Sequence, residues 1–172
     1  MDESLIASTS SLSSSSSSTI SSTICGGKPL WKQSKHNGER LLDRDGYRQR
    51  AAALCLRRGQ KSIEVLLING GTEGEWVVPG GGVERAESPL DAAVRELEEE
   101  AGVRGDVLGT IGVFEEGHRK RRSSLVVLSP KEELKVWEEG ALGRQRRWMS
   151  MDEAILLVKD SHKPILQAIP YN

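Results

Sequence analysis

Apolar residues arrive in short runs from about residue 50 onward. Arg50 to Leu56 (RAAALCL) and Ile63 to Asn69 (IEVLLIN) flank the polar, glycine-containing stretch RRGQKS, so they read as two strands joined by a hairpin-like connection. Trp76 to Pro79 (WVVP) is a third short extended piece, ended by the proline and the glycines after it. Val107 to Phe114 (VLGTIGVF), Ser124 to Leu128 (SLVVL) and Arg147 to Ser150 (RWMS) read as further strands.

Two segments switch to helical spacing. Ser88 can cap the first, Pro89 suits the first helical position, Asp91 completes an S-x-x-D variant of the capping box, and Gly102 supplies the stop. The expected helix covers 89–101, with Leu90, Ala93, Val94 and Leu97 turned toward a core. Ser150 and Glu153 repeat the box before AILLV, predicting a second helix over 151–159. Helices interleaved with short strands indicate a layered α/β (α+β) domain. There is no internal repeat.

Composition then sets limits. A chain of 172 residues and 18.9 kDa is one ordinary domain plus some extra. Its formal net charge of -1 says nothing about partners, so any electrostatic specificity must come from local patches. Cys25 and Cys55 fit no disulfide framework and no metal-ligand spacing, and read as free thiols in a reducing compartment. No stretch approaches the ~20 apolar residues needed to span a bilayer, so a membrane partner is not expected. Residues 4–24 are dominated by serine and threonine and cannot bury enough surface to offset their chain entropy. The expected organisation is a disordered tail over 1–37, a folded domain over 38–168 and a short end over 169–172. A serine-rich organellar transit peptide is the competing reading of the tail; Asp2, Glu3 and the absence of arginine before Arg40 stand against it. Cytosol with entry to the nucleus is the default localisation, and a monomer the default state.

The chemistry concentrates in PGGGVERAESPLDAAVRELEEEAGV, Pro79 to Val103. On a helix, Glu96, Glu99 and Glu100 share a face, while Glu98 points elsewhere into solvent. Like charges at i, i+4 oppose helix formation by a few tenths of a kcal/mol, so the cluster needs either a compensating cation or a solvated surface. Clustered carboxylates without nearby His or Cys suit Mg²⁺ or Mn²⁺, which keep waters and bridge to substrate phosphates. The preceding glycines let backbone approach a metal or a phosphate, and Arg95 can orient a glutamate by a charge-assisted hydrogen bond.

These residues resemble a known family. The Nudix box, G-x5-E-x7-R-E-U-x-E-E-x-G-U with U a bulky aliphatic, is met in full by Gly81, Glu87, Arg95, Glu96, Leu97, Glu99, Glu100, Gly102 and Val103. The resemblance implies a Nudix-type α/β/α sandwich with a mixed sheet, and metal-dependent hydrolysis of a diphosphate linked to another moiety. It implies Glu96, Glu100 and the Gly80 carbonyl as metal ligands, Glu99 as general base, and Arg95, Gly81 and Gly102 as structural support.

Basic groups lie outside the box: Arg48 and Arg50, RKRR over Arg119 to Arg122, Arg144 with Arg146 and Arg147, and His162 with Lys163. Gathered around one acidic site they would clamp a strongly anionic small molecule. DGYRQRAAALCLR, GVFEEGHRKRR, VWEE, GRQRRW, DEAI and HKP extend the similarity to the diphosphoinositol polyphosphate phosphohydrolases from about Gly38 to Pro164. That resemblance implies release of the β-phosphate from diphosphoinositol polyphosphates. It also implies substrate contacts from Arg40, Arg48, Gln49, Arg50, Arg119, Lys120, Arg121, Arg144 and Lys163. Diadenosine polyphosphates, capped RNA or inorganic polyphosphate form the alternative substrate class, though base-stacking aromatics are scarce. A non-catalytic inositol-phosphate or RNA-binding module is the third reading, disfavoured because all three glutamates are kept.

Three departures from that subfamily stand out. Gly70-Gly71-Thr72-Glu73 replaces a serine-rich loop with a basic residue, Gln49 replaces a common lysine, and Pro130 interrupts a strand. Proline cannot donate to a sheet ladder, so that strand is expected to be short or to lie at an edge.

Overall fold

A computed structural model describes residues 24–25, 28–32 and 41–170. Most of the serine-rich tail, Arg40 and the last two residues lie outside the described residues. A two-stranded antiparallel pair, β1 (Ile24–Cys25) and β2 (Lys28–Pro29), leads into a 3-10 turn over Leu30–Lys32. Trp31 in that turn is buried, with the Arg144 guanidinium over its ring at 5.5 Å. Trp31, ahead of residue 38, thus packs against a side chain of the folded domain.

The main sheet has seven strands: β3 (Arg48–Arg58), β4 (Ile63–Asn69), β5 (Trp76–Val77), β6 (Gly80–Gly82), β7 (Val103–Glu116), β8 (Arg121–Glu133) and β9 (Arg146–Ser150). Its path runs β5-β4-β3-β8-β7, with β6 on β3 and β9 on β4. Only the β3·β8 pair is parallel among these strands, so the sheet is mixed, as expected. Four helices complete the domain: α1 (Pro89–Ala101), α2 (Glu138–Ala141), α3 (Met151–Leu157) and α4 (Lys163–Gln167).

Strand alternation divides the core into two layers. Ala51, Ala53 and Cys55 of β3 face α1 together with Leu66, Ile68, Val126 and Leu128. Ala52 and Leu54 face the opposite way, toward α3 and α4, with Val65, Leu67, Leu125, Met149 and Leu166. β3 thus reads as a continuous apolar run because both of its faces are covered. Cys55 lies fully inside the first layer, where burial pushes its thiol up to about 12 and leaves it inert at neutral pH.

The capping box holds at α1: the Asp91 amide donates to Ser88 Oγ at 3.1 Å and the Ser88 amide to the Asp91 carboxylate at 3.3 Å. Three expectations need adjustment. Leu90 is 39% exposed; Ala92, Ala93, Leu97 and Ala101 form the buried apolar stripe. The second helix stops at Leu157, with Val158 extended and its amide on the Ala154 carbonyl. The strand with Pro130 is not short: β8 continues to Glu133. Its pairing with β3 ends at Leu128, however, so Pro130 meets only Gly105 of β7, beside a register shift. Its missing N–H there removes no bond on the β3 side.

Candidate active site

β6 and α1 are built as one unit. The amide of Gly80 donates to the Glu100 carboxylate at 2.8 Å, while its carbonyl accepts from Arg50 at 3.1 Å. Gly81 lies against Glu96 so closely that a Cβ would overlap its carboxylate. Gly81→Ala is therefore expected to displace Glu96 and abolish most turnover while the chain still folds. Circular dichroism alongside an assay of the hydrolysis that the box implies checks both halves.

Arg95 binds this unit together. Its Nε and Nη2 donate to Glu87 at 2.8 and 2.9 Å, its Nη1 to Glu96 at 3.1 Å and to Glu99 at 3.4 Å, and its Nη2 also to the Gly82 carbonyl at 3.0 Å. The Glu87 carboxyl is consequently held below its ordinary range, chiefly by the Arg95 hydrogen bond. The three glutamates differ in exposure. Glu96 and Glu100 are buried at 5% and 3%, whereas the Glu99 side chain is 38% exposed. Glu98 points away, paired with Arg104 at 2.8 Å.

The C-terminus of α1 is closed with equal care. Gly102 adopts φ +61° and its amide returns to the Glu98 carbonyl at 2.9 Å. A Cβ there would come within 2.6 Å of Trp137, whose indole donates to the Glu100 carbonyl at 3.0 Å. Arg146 donates to the Ala101 and Gly102 carbonyls at 2.7 and 2.9 Å and stacks on Trp137 at 4.4 Å. Arg146 is thus a helix cap and Arg147 an ion-pair partner of Glu153 at 2.5 Å.

The expected substrate residues divide. Arg50, Arg119 and Arg121 line one cavity with Ser123, Phe114, Glu116, Ser161 and His162, on the face of β3 opposite α1. Arg48 lies on the same face, its guanidinium against Gly82. Burial, with the Arg121 charge beside it, pushes the Arg50 guanidinium down, against opposing pulls from Glu100, Glu96 and Glu116. Lys120 instead occupies a left-handed turn (φ +47°), exposed, with its carbonyl accepting from the Arg48 amide at 2.8 Å. Gln49 alternates to the other face, where its amide donates to Asp43 at 2.9 Å. Arg144 is buried at 7%, 3.7 Å from Glu100 and 3.6 Å from Glu139. Lys163 is paired with Asp160 at 2.7 Å. Arg40 lies outside the described residues.

The RKRR motif is therefore not one patch. Arg122 donates to Asp43 and Asp45 at 2.7 Å and to Glu115 at 2.8 Å, and stacks on Tyr47 at 4.2 Å. Strand alternation sends it to the outer face while Arg121 enters the cavity.

His162 behaves differently from the cation its sequence company suggests. Its Nδ1 accepts from the Val78 amide at 3.1 Å, which requires an unprotonated nitrogen. Burial pushes its pKa down to about 4 from an ordinary 6.5. Between these values the unfolded chain binds a proton that the native state does not. Its contribution is full above pH 6.5 and is lost as pH falls toward 4. Urea unfolding across pH 7 to 4.5 is expected to show a steeper loss for wild type than for His162→Asn.

Among the described residues, no three His, Cys, Asp or Glu side chains converge around one point. Arg95 and Arg144 hold the carboxylates instead. The donor set nevertheless suits a hard divalent cation: carboxylates and a backbone carbonyl, all oxygen, two of them buried.

The chain matches the NUDIX domain over residues 47–169. It is 44% identical over 132 residues to diphosphoinositol polyphosphate phosphohydrolase 2 of Mus musculus, covering 76% of this chain and 73% of the relative. It belongs to the Nudix family. The Homo sapiens phosphohydrolase of the same name gives the same identity and coverage. Among solved structures, the E. coli ORF135 protein superposes with a TM-score of 0.53 at 27% identity, covering 70% of this chain and 86% of that one. This Nudix hydrolase is thus similar over about three quarters of its length to diphosphoinositol polyphosphate phosphohydrolases.

Proposed function

We propose that this Nudix hydrolase removes the β-phosphate of diphosphoinositol polyphosphates as inorganic phosphate, using Mg²⁺ or Mn²⁺. One observation carries the reading: Gly80 touches both halves of the site, its amide on Glu100 and its carbonyl under Arg50. The acidic face of α1 and the cavity lined by Arg50, Arg119 and Arg121 therefore adjoin across a single residue. One phosphate of a polyphosphorylated substrate, seated among these arginines, would leave the rest of the molecule to reach the carboxylates.

Glu96, Glu100 and the Gly80 carbonyl would hold the divalent ion, which when bound neutralises diphosphate oxygens and acidifies water. Glu99, the most exposed of the three glutamates, would take the proton from the attacking water. Arg50, Arg119 and Arg121 fix the remaining phosphates by charge-assisted hydrogen bonds. Among the described residues the cavity is lined by one Phe, Tyr or Trp side chain against three arginines, which favours a polyphosphorylated ring over a nucleobase. Trp137 and Trp148 lie under Arg146 and Arg57, Trp31 is buried, and Phe114 is the aromatic that lines the cavity.

The deciding experiment measures phosphate release from a diphosphoinositol polyphosphate and from diadenosine hexaphosphate side by side, with Mg²⁺ and with chelator. Inositol pyrophosphate turnover should dominate and vanish with chelator. Strong nucleotide turnover without inositol pyrophosphate activity would refute the reading.

A further inference from the structure

The residue of the cavity that neither charge nor the Nudix box accounts for is His162. It sits at the end of a 3-10 turn (Asp160–His162) directly before α4, and Ile165 and Leu166 of α4 are buried in the core. That anchorage fixes the ring. Its Nδ1 receives the Val78 amide at 3.1 Å, two residues before Gly80. With Nδ1 occupied as an acceptor, the proton of the neutral ring is on Nε2. The ring lines the cavity beside Arg50, Arg121, Ser123 and Ser161.

We infer that His162 is a specificity-determining residue: a neutral ring that holds the segment leading to Gly80 through Nδ1 and donates Nε2–H to a non-bridging phosphate oxygen of the substrate. The inference rests on the proposed reading of this cavity as a phosphate site. A neutral donor suits the place. Arg50 and Arg121 already repel each other there, with Arg119 lining the same cavity, and a further cation would add to that repulsion, whereas an N–H adds a bond to the anion alone. Because Nε2–H can only donate, it favours an ionised phosphate oxygen over a hydroxyl that must itself donate.

Two substitutions separate the roles of the two nitrogens. In His162→Asn the amide reaches the Nδ1 position and can still receive the Val78 N–H, but nothing replaces Nε2. In His162→Gln the amide reaches the Nε2 position and the Val78 bond is lost. His162→Asn is expected to keep kcat and its thermal midpoint at pH 7.5 while KM rises on the order of tenfold. His162→Gln should keep KM within about threefold but melt lower. Nitrogen-15 ring spectra of the wild-type protein should show the Nε2–H tautomer, with that resonance moving on addition of inositol hexakisphosphate or, separately, diadenosine hexaphosphate. An unchanged KM in His162→Asn, an Nδ1–H tautomer, or an Nε2–H resonance that neither ligand moves would each overturn the inference. If the wild type turns over only the nucleotide and that ligand moves the resonance, the inositol reading fails and the role of His162 stands.

Discussion

Glu99→Gln is expected to lower kcat by a factor on the order of 10³ while KM, metal affinity and thermal midpoint stay close to wild type. The expectation follows from where Glu99 sits. It shares the face of Glu96 and Glu100, but its side chain is 38% exposed, with Arg95 donating to it at 3.4 Å. Amide for carboxylate at a half-exposed position costs little in packing and keeps an oxygen for Arg95, while it removes the charge and the ability to take a proton. The same exchange at Glu100 should behave differently. That carboxylate is buried, receives the Gly80 amide and faces Arg144, so Glu100→Gln should weaken metal affinity and stability together. Steady-state kinetics with a Mg²⁺ titration of both variants separates the roles. Retention of full rate in Glu99→Gln would move the base to another carboxylate.

Arg95→Ala is expected to cost on the order of 3 kcal/mol of stability and to remove activity as well. Four groups lose the Arg95 donor at once: Glu87, Glu96, Glu99 and the Gly82 carbonyl. Glu96 is the costly one, since its carboxylate is buried and would be left against Gly81 without its guanidinium. For a domain of this size the loss corresponds to a fall in Tm of about 10 °C. Arg95→Lys should recover only part of it, because an ammonium cannot present the guanidinium fork to Glu87 while also reaching Glu96 and Gly82. Calorimetry on the two variants and the parent tests this ordering; equal Tm values for Lys and Arg would show that charge alone suffices.

The box residues were legible because their chemistry is local. Ser88, Pro89, Asp91 and Gly102 act within one helix, so sequence spacing places the α1 ends and puts Glu96, Glu99 and Glu100 on one side. The organising role of Arg95 was also legible, apart from its bonds to Glu87 and Gly82, which need the ribbon folded back on the helix. The basic residues were less legible. Arg121 and Arg122 are neighbours in a strand, and only pairing with β3 and β7 decides that one enters the cavity and the other meets Asp43 and Glu115. Arg144 and Arg146 look alike in GRQRRW, yet one is buried beside Glu100 and the other caps a helix.

The amino-acid sequence alone determined the Nudix box, the helix that carries it, the mixed α/β architecture and the acidic chemistry. Each depends on contacts between residues a few positions apart or on a spacing specific enough to mark the family. The tertiary structure alone decided which cations share the cavity, that His162 is a neutral ring fixed by Val78, and that Trp31 packs under Arg144. Those outcomes depend on burial and on partners far along the chain, which set a side chain's direction and its charge.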